Sequence, residues 1–561
     1  MPNFLENIFN QLRTARSRVV LQEVHGKEFV SVTGGQFLEQ VGRVRAYLRQ
    51  RGVQPGDRCA LLGANSIKLA VVDIALMAEG AIVVPLYSRQ AAAELAGMMK
   101  DCAARFLFCS DTALGDGVAQ AWPEVPPRVL FDEAIGQIPP GQGIDSGPNS
   151  RKGEDLLTII YTSGTSGEPK GVCLNTTNVD HMISCTTARL DELMEGATKP
   201  DRVFHYLPFN FAGSWILLLS CLSRDSTLTL STDMNKLADE IQHSSPHYFM
   251  NVPTLLERVR RGVEDAISKR DSAIQAIYRN ARAAWERKTD GQGKTKGLDS
   301  FWLFLGRNLI FRKIRARFGS NLRALICGSA PLSPETQQFF HMVSIPVLQV
   351  YGLTETTAIC TMDDPRTTPE PGRVGKCIPG IEMNTGENDE ILVRGPNVFP
   401  GYWNRPDETA RVLKDGWFHT GDQGEVNSLG NWRISGRIKN LIVLNSGHNI
   451  APEPIEEKLA QQLPGARQIV VVGNGHGYLT VLLTGALDPQ SVQEALDRVN
   501  SDLPHYRQLR NFTILPEALT TESGLLTAMG KVKRDAIHAR FYDEIERMYS
   551  KQASAAGGKS R

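Results

Sequence analysis

The chain has 561 residues, with 62 Lys+Arg against 61 Asp+Glu, 41% hydrophobic residues, 50 Gly and 30 Pro. At roughly 100–200 residues per domain this predicts two to four folding units and a large core. Balanced charge and high apolar content exclude disorder over the bulk of the chain, and they speak against a nucleic-acid partner, whose footprint is a clustered basic excess.

The N-terminal stretch Met1–Arg18 alternates apolar and polar residues and lacks the apolar run of a secretion signal. The most apolar run, Trp215–Leu222, is far short of the ~20 residues that cross a bilayer. Nine cysteines lie scattered with no C-x-x-C pair, so neither a disulfide framework nor a zinc site is predicted. The expectation is a soluble, cytoplasmic protein.

Apolar residues at helical spacing (Phe37, Val41, Val44, Leu48) predict a helix over Phe37–Arg51, then a strand at Cys59–Leu62, a helix at Ile67–Ala78 and a strand at Ala81–Leu86. Helices alternating with buried strands predict an α/β layered fold with a largely parallel sheet. Residues 254–320 hold 16 Lys/Arg against 7 Asp/Glu and read as helices broken at Thr289–Lys294. This basic excursion is either a solvated helical face or a surface that meets acidic head groups of a membrane from which a lipid is drawn. After Gly380 the texture turns to short strands (Glu390–Arg394, Gly416–His419, Asn431–Ile434), with a boundary expected at Ser435–Arg437. Beyond it the pattern predicts a strand (Asn440–Leu444), a helix (Pro454–Gln462), a strand (Gln468–Val472) and a terminal helix (Lys533–Tyr549). The expected organisation is a large domain over 1–436, a small α+β domain over 437–549 and a flexible tail over 550–561.

The most informative segment is Tyr161–Gly171, Y-T-S-G-T-S-G-E-P-K-G, after the predicted strand Leu156–Ile160. Gly164 and Gly167 let the backbone turn tightly and expose N–H groups, while Thr162, Ser163, Thr165, Ser166 and Lys170 add donors and charge, which suits a polyphosphate. It is not a Walker A loop: Lys170 precedes Gly171, and Val172 follows where Ser or Thr is required.

Tyr161–Gly171 resembles the signature loop of the adenylate-forming (AMP-binding) enzymes, which include acyl-CoA synthetases, luciferases and peptide-synthetase adenylation domains. Tyr351-Gly-Leu-Thr-Glu355, Gly416-Trp-Phe-His-Thr-Gly-Asp422, Gly436-Arg437-x-Lys439 leading to Asn449–Pro452 and Ile455-Glu456, and Gly530-Lys531-Val-Lys-Arg534 match the later signatures in the family's order. The resemblance implies ATP-dependent adenylation of a carboxylic acid, in which two anions meet and the site must supply cations and fixed dipoles. It implies phosphate contacts from Thr162–Gly167 and Lys170, an α-phosphate contact from Thr354, and Glu355 as the carboxylate that holds Mg2+. It further implies an adenine pocket at Gly328-Ser329-Ala330-Pro331 with Tyr351 and Gly352, and a ribose held by Asp422 with Arg437. Lys531 is the implied catalytic lysine, and Lys439 the hinge about which the small domain rotates between two half-reactions.

Three departures narrow what is implied. Phe211 stands where a histidine is common near the acyl site, Ser166 where threonine is common, and His448 follows Gly447 where many members carry a second glycine. Thr521–Thr527 and the helical excursion are most similar to the long-chain fatty acyl-CoA synthetases. That implies a medium- or long-chain fatty acid in an apolar tunnel beside Phe209, Phe211 and Trp215, although plain core packing accounts for these aromatics equally well. The implied acceptor is coenzyme A. A separate acyl carrier protein is the alternative acceptor, since the stretch after Lys531 leaves no room for a fused one, and an aryl acid is the alternative substrate. A non-catalytic protein on the same fold would be expected to have lost Lys170, Glu355, Asp422 or Lys531, and a luciferase-type oxygenase is not separated from a ligase by these residues.

Overall fold

The computed structural model describes residues 3–163, 169–197, 199–289, 297–520, 523–527 and 530–556. The predicted helices and strands of the first hundred residues form where the periodicity puts them: helices Gly34–Gln50 and Ile67–Ala78, strands Arg58–Leu62 and Ile82–Leu86. Helix Gly34–Gln50 starts at Thr33, whose hydroxyl accepts from the Gln36 N–H while the Gln36 side chain accepts from the Thr33 N–H, a reciprocal cap.

Among the described residues two large sheets dominate. One has seven strands in the order Gly401–Tyr402, Pro169–Asn175, Leu156–Ser163, Ile82–Leu86, Arg58–Leu62, Phe106–Cys109, Arg128–Leu130. The other has nine, with Val347–Tyr351, Ala324–Cys327, Tyr248–Asn251, Asp201–His205, Ser226–Leu230 and Val19–His25 parallel at its centre and antiparallel strands at both edges. The parallel centres follow from chain lengths between strands that suffice for a helical crossover, and strands covered on both faces read as unbroken apolar runs.

Helix Ile67–Ala78 packs on Val19–His25 of one sheet and on Arg58–Leu62 and Ile82–Leu86 of the other. Lying between two layers, it is buried on every side apart from Lys68. Helix Ala212–Leu222 is likewise interior, which explains an apolar run too short for a membrane: a helix apolar all round belongs in a core.

A five-stranded antiparallel sheet follows, built from Glu382–Thr385, Glu390–Arg394, Leu413–Lys414, Trp417–Val426 and Trp432–Arg437. After Arg437 come a 3₁₀ turn at Ile438–Asn440, helix Glu453–Gln462, a three-stranded sheet (Ala466–Val472, Leu479–Gly485, Leu509–Leu515) and helix Pro489–Ser501, with an apolar cluster of their own.

Three expectations are corrected. The strand predicted over Asn440–Leu444 shrinks to Ile442–Val443, because Leu441 closes the 3₁₀ turn. The single terminal helix becomes two, Arg534–Arg540 and Tyr542–Ala556, separated at Phe541, whose φ/ψ of −112°/28° leaves the helical region. In the basic excursion a break at Lys269–Asp271, which sequence reading did not place, divides helices Pro253–Ser268 and Ser272–Thr289. The expected break at Thr289–Lys294 falls between Ser272–Thr289 and Gly297–Gly306, mostly outside the described residues.

Candidate active site

The signature segments converge on one cleft of about 2790 Å3 between the large sheets and the small C-terminal unit. The phosphate segment is a hairpin rather than a strand-to-helix turn. Leu156–Ser163 pairs antiparallel with Pro169–Asn175, in register Thr162 with Lys170 and Tyr161 with Gly171. Thr162 and Lys170 line the cleft; Gly164, Thr165, Ser166 and Gly167 lie outside the described residues, as does the Ser163 side chain. Lys170 forms an ion pair with Glu408 and sits 5.5 Å from the centre of the Tyr402 ring.

Opposite lies a polar cluster fixed by strand pairing. Trp417–Val426 pairs with Trp432–Arg437 so that Asp422 stands directly across from Arg437. The Arg437 guanidinium contacts one Asp422 carboxylate oxygen at 2.7 Å, and the Tyr351 hydroxyl donates to the other at 2.9 Å. Burial raises the Asp422 pKa above the ordinary aspartate value, while Arg437, Tyr351 and Lys531 oppose that rise. Tyr351 ends a central parallel strand, and Gly328–Pro331 follows the neighbouring strand, so both reach the cleft from carboxyl ends of the sheet, where ligands of open α/β sheets bind. Gly328 is required by packing, since a Cβ there would stand 2.6 Å from Val350 Cγ2. Ser329 adopts φ +75°.

Thr354 and Glu355 open a 3₁₀ turn, Thr354–Thr356. Thr357 and Ala358 then take φ of +54° and +100°, and the Thr357 hydroxyl donates to the Asn397 carbonyl at 2.7 Å, holding a strained turn in place. At Gly352 a Cβ would fall 2.2 Å from the Ala358 carbonyl oxygen. Glu355 lines the cleft; burial raises its carboxyl pKa, and the Tyr402 hydroxyl donates to it at 2.9 Å.

Lys531 reaches the same cleft from the C-terminal unit, on a tight turn. Its N–H donates to the Thr527 hydroxyl at 3.0 Å, the Thr527 N–H donates to its carbonyl at 2.7 Å, and Gly530 supplies φ +75°. The ammonium keeps solvent access through the cleft mouth yet is surrounded by protein. That burial lowers its pKa, as do Arg437 and Lys439, while Asp422 opposes. Lys439 is lowered in the same way, by burial first and then by Arg437. Arg437, Lys439 and Lys531 thus bring three cations to the cleft, opposed by Asp422, Glu355, Glu453 and Asp535. The helix carrying Arg534 is clamped to the Glu456 carboxylate by contacts of 2.7 and 2.6 Å.

The aromatic residues proposed for the acid divide. Phe211 lines the cleft with Gly213 and Met250. Phe209 is buried and stacked on His205, with ring centres 5.2 Å apart. Trp215 is buried in its interior helix, its indole N–H donating to Asp73 at 2.8 Å. Neither reaches the cleft wall: both are core residues. His448 is exposed and stacked on Tyr506 at 4.3 Å, away from the cleft. Sequence reading missed Tyr402 and Glu408; the available signal was Pro400-Gly-Tyr402, whose glycine lets a short strand join the hairpin's edge.

A family model described as AMP-binding enzyme matches residues 8–403, and one described as AMP-binding enzyme C-terminal domain matches 439–553. The chain belongs to the AMP-binding enzyme family. It is therefore an enzyme that activates a carboxylic acid as its adenylate. Its relatives include the long-chain-fatty-acid–CoA ligase FadD15 of Mycobacterium tuberculosis, 29% identical with 98% of this chain and 97% of that protein covered. Long chain acyl-CoA synthetase 1 of Arabidopsis thaliana is 28% identical, with 92% and 87% covered. Among solved structures, o-succinylbenzoate CoA synthetase from Bacillus subtilis in complex with its acyl-adenylate superimposes with a TM-score of 0.74 at 20% identity, covering 95% of this chain and 97% of that one, which establishes the shared fold.

Proposed function

We propose that the protein is an acyl-CoA ligase that activates a medium- or long-chain fatty acid with ATP and passes the acyl group to coenzyme A. The observation that carries this reading is the meeting in one cleft of the Asp422–Tyr351–Arg437 cluster, Glu355 and Lys531 from the opposite unit. Asp422 is suited to accept from paired ribose hydroxyls, with Arg437 holding its charge in place. Tyr351 and the Gly328–Pro331 backbone form the flat slot for the base. Thr162 and Lys170 face the phosphates, and Lys170 exchanges Glu408 for them.

Glu355 fits a magnesium ion: it is a hard oxygen donor at the cleft wall with Tyr402 holding it, and Mg2+ takes one or two protein carboxylates plus phosphate and water oxygens. Such an ion would neutralise phosphate charge. In the first half-reaction a carboxylate oxygen of the acid bonds to the α-phosphorus as the bond to the pyrophosphate oxygen breaks. Lys531, protonated, spans the approaching anions and holds them together. In the second, the thiol sulfur bonds to the acyl carbon, AMP departs with the bonding electrons, and the thiol proton goes to solvent. Lys439, at the turn joining the two units, is the pivot that removes Lys531 and admits the thiol.

The fatty acid follows from relatives whose names state that substrate and from an apolar lobe at Phe211, Gly213 and Met250. Mass spectrometry of products from ATP, magnesium and acids from acetate to oleate plus aryl acids, with and without coenzyme A, tests it. Acyl-CoA from medium- or long-chain acids alone is expected. Acyl-CoA from aryl or short acids alone would replace the substrate assignment, and acyl-AMP that accumulates despite coenzyme A would replace the acceptor by a carrier protein.

A further inference from the structure

The charge excess of residues 254–320 is less free than its count suggests. Arg258, Arg260 and Arg261 line the cleft, Arg282 is paired with Glu286 and Glu264, and Arg287 with Asp299. Arg270, Arg279 and Lys288 are exposed on the first two helices and the break between them, and four more exposed cations lie further along, on and just after the helix running from Gly297–Gly306 through a π turn, Arg307–Phe311, into Arg312–Ala316.

This helix is apolar on two sides. Its inner side, Leu303, Gly306 and Ile310, is buried, and Gly306 lies so near helix Ser272–Thr289 that a Cβ would stand 2.7 Å from that of Ala281. Its outer side carries Leu298, Phe301, Phe304 and Leu309 at 69%, 53%, 63% and 42% exposure. Spacings of three and five residues place these four on one face. Large aromatics gathered on an open face are unlike the scattered single apolar residues of an ordinary surface. The exposed charged positions among and after them are Arg307, Arg312, Lys313 and Arg317, with the uncharged Asn308 and Ala316 exposed between them. The acid of this stretch, Asp299, is 5% exposed and ion-paired with Arg287, so the outer face carries positive charge unopposed from within the helix.

We propose that residues 298–317 form a docking surface for an anionic lipid bilayer, with Phe301 and Phe304 entering the acyl boundary and Arg307, Arg312, Lys313 and Arg317 meeting the head groups. Apolar side chains at one end and uncommitted cations at the other are complementary to a layer that is apolar below and anionic above. A second protein would have to offer an apolar socket beside an acidic one. None of these residues lines the cleft, and among the described residues no helix is long and apolar enough to cross a membrane, so the attachment is peripheral. The proposal does not depend on which acid the cleft activates.

Full-length protein is sedimented with vesicles of phosphatidylcholine alone and of phosphatidylcholine mixed with phosphatidylglycerol, at low and high salt. Binding is expected on the mixed vesicles and is reduced by salt. Phe301→Ser with Phe304→Ser should weaken it by about tenfold or more, and Arg312→Gln with Lys313→Gln by roughly 30-fold. Turnover of a water-soluble medium-chain fatty acid without vesicles should match the parent in both variants, which also shows that they fold. Three results would each overturn the proposal: no binding of the parent to the anionic vesicles; binding unchanged by both double variants; or a parent that is dimeric in solution and becomes monomeric with the Phe substitutions, in which case a second copy covers the face.

Discussion

The proposed nucleotide side and the proposed acyl side of the cleft differ in how narrowly their residues are placed by the fold. On the nucleotide side, Tyr351, Asp422, Arg437, Glu355 and Lys531 all reach one cavity, held by strand register and by hydrogen bonds of 2.7–3.0 Å. On the acyl side only Phe211 does, while Phe209 and Trp215 serve the core. A charged or hydroxylated side chain cannot be buried without partners, so its position is specified by a small set of geometries. An aromatic ring is stabilised almost equally by a core or by a cleft wall, so its type says little about which it lines.

Lys531→Ala is the substitution with the largest expected effect. It should slow adenylate formation by about 10²–10³-fold, the scale for losing one group aimed at developing charge, and leave thioester formation from supplied acyl-AMP much less affected. Pyrophosphate release and single-turnover thioester assays measure the two halves; equal losses in both would remove the lysine from the first step. The same lysine sets an alkaline limit. Its pKa is lowered, so the protonated form needed for adenylation is lost as pH rises at values below those of an ordinary lysine, and saturating ATP should move that limit upward.

Asp422→Asn comes next. The amide oxygen still accepts from Tyr351, but the charge opposite Arg437 and toward the ribose is gone. The ATP KM should rise roughly tenfold or more with kcat less changed. An unchanged ATP dependence would detach the cluster from nucleotide binding.

The acyl side is sharpened by a pair. Phe211→Ala should shift chain-length preference with little effect on the melting temperature. Trp215→Phe should do the reverse, because it leaves the buried Asp73 carboxyl without its donor at a cost of about 1–3 kcal/mol. A chain-length shift in Trp215→Phe would return that residue to the substrate wall.

The smallest expected effect is on pH dependence of stability. Burial raises Asp73 to about 7 against only one hydrogen bond, and Asp363 to about 7 as well. Between the ordinary aspartate value of 3.8 and about 7 the folded state therefore holds protons that the unfolded chain has released, and stability falls as pH rises through that window. Asp73→Asn should flatten the slope of melting temperature against pH by on the order of a few degrees. An unaltered slope would show that Asp73 is ionised in the fold.

Much of the molecule was legible without coordinates. Helix Ile67–Ala78, strand Ile82–Leu86 and the parallel centre of the sheets follow from periodicity, because local spacing and layer burial impose the same pattern. The signature segments marked residues that the fold brings to one cleft, since their glycines and polar residues serve few other purposes together. What lay beyond reach was decided by neighbours distant in sequence. Tyr402 meets Glu355 only because a short strand at Gly401–Tyr402 closes the edge of the hairpin sheet. Trp215 faces inward because its helix lies in the interior, against Asp73 of another buried helix. The basic excursion divides into cleft residues, paired residues and one open face according to which helices pack together. Composition and spacing fix what each segment is able to form; which face is covered, and by what, depends on contacts that only the assembled layers create.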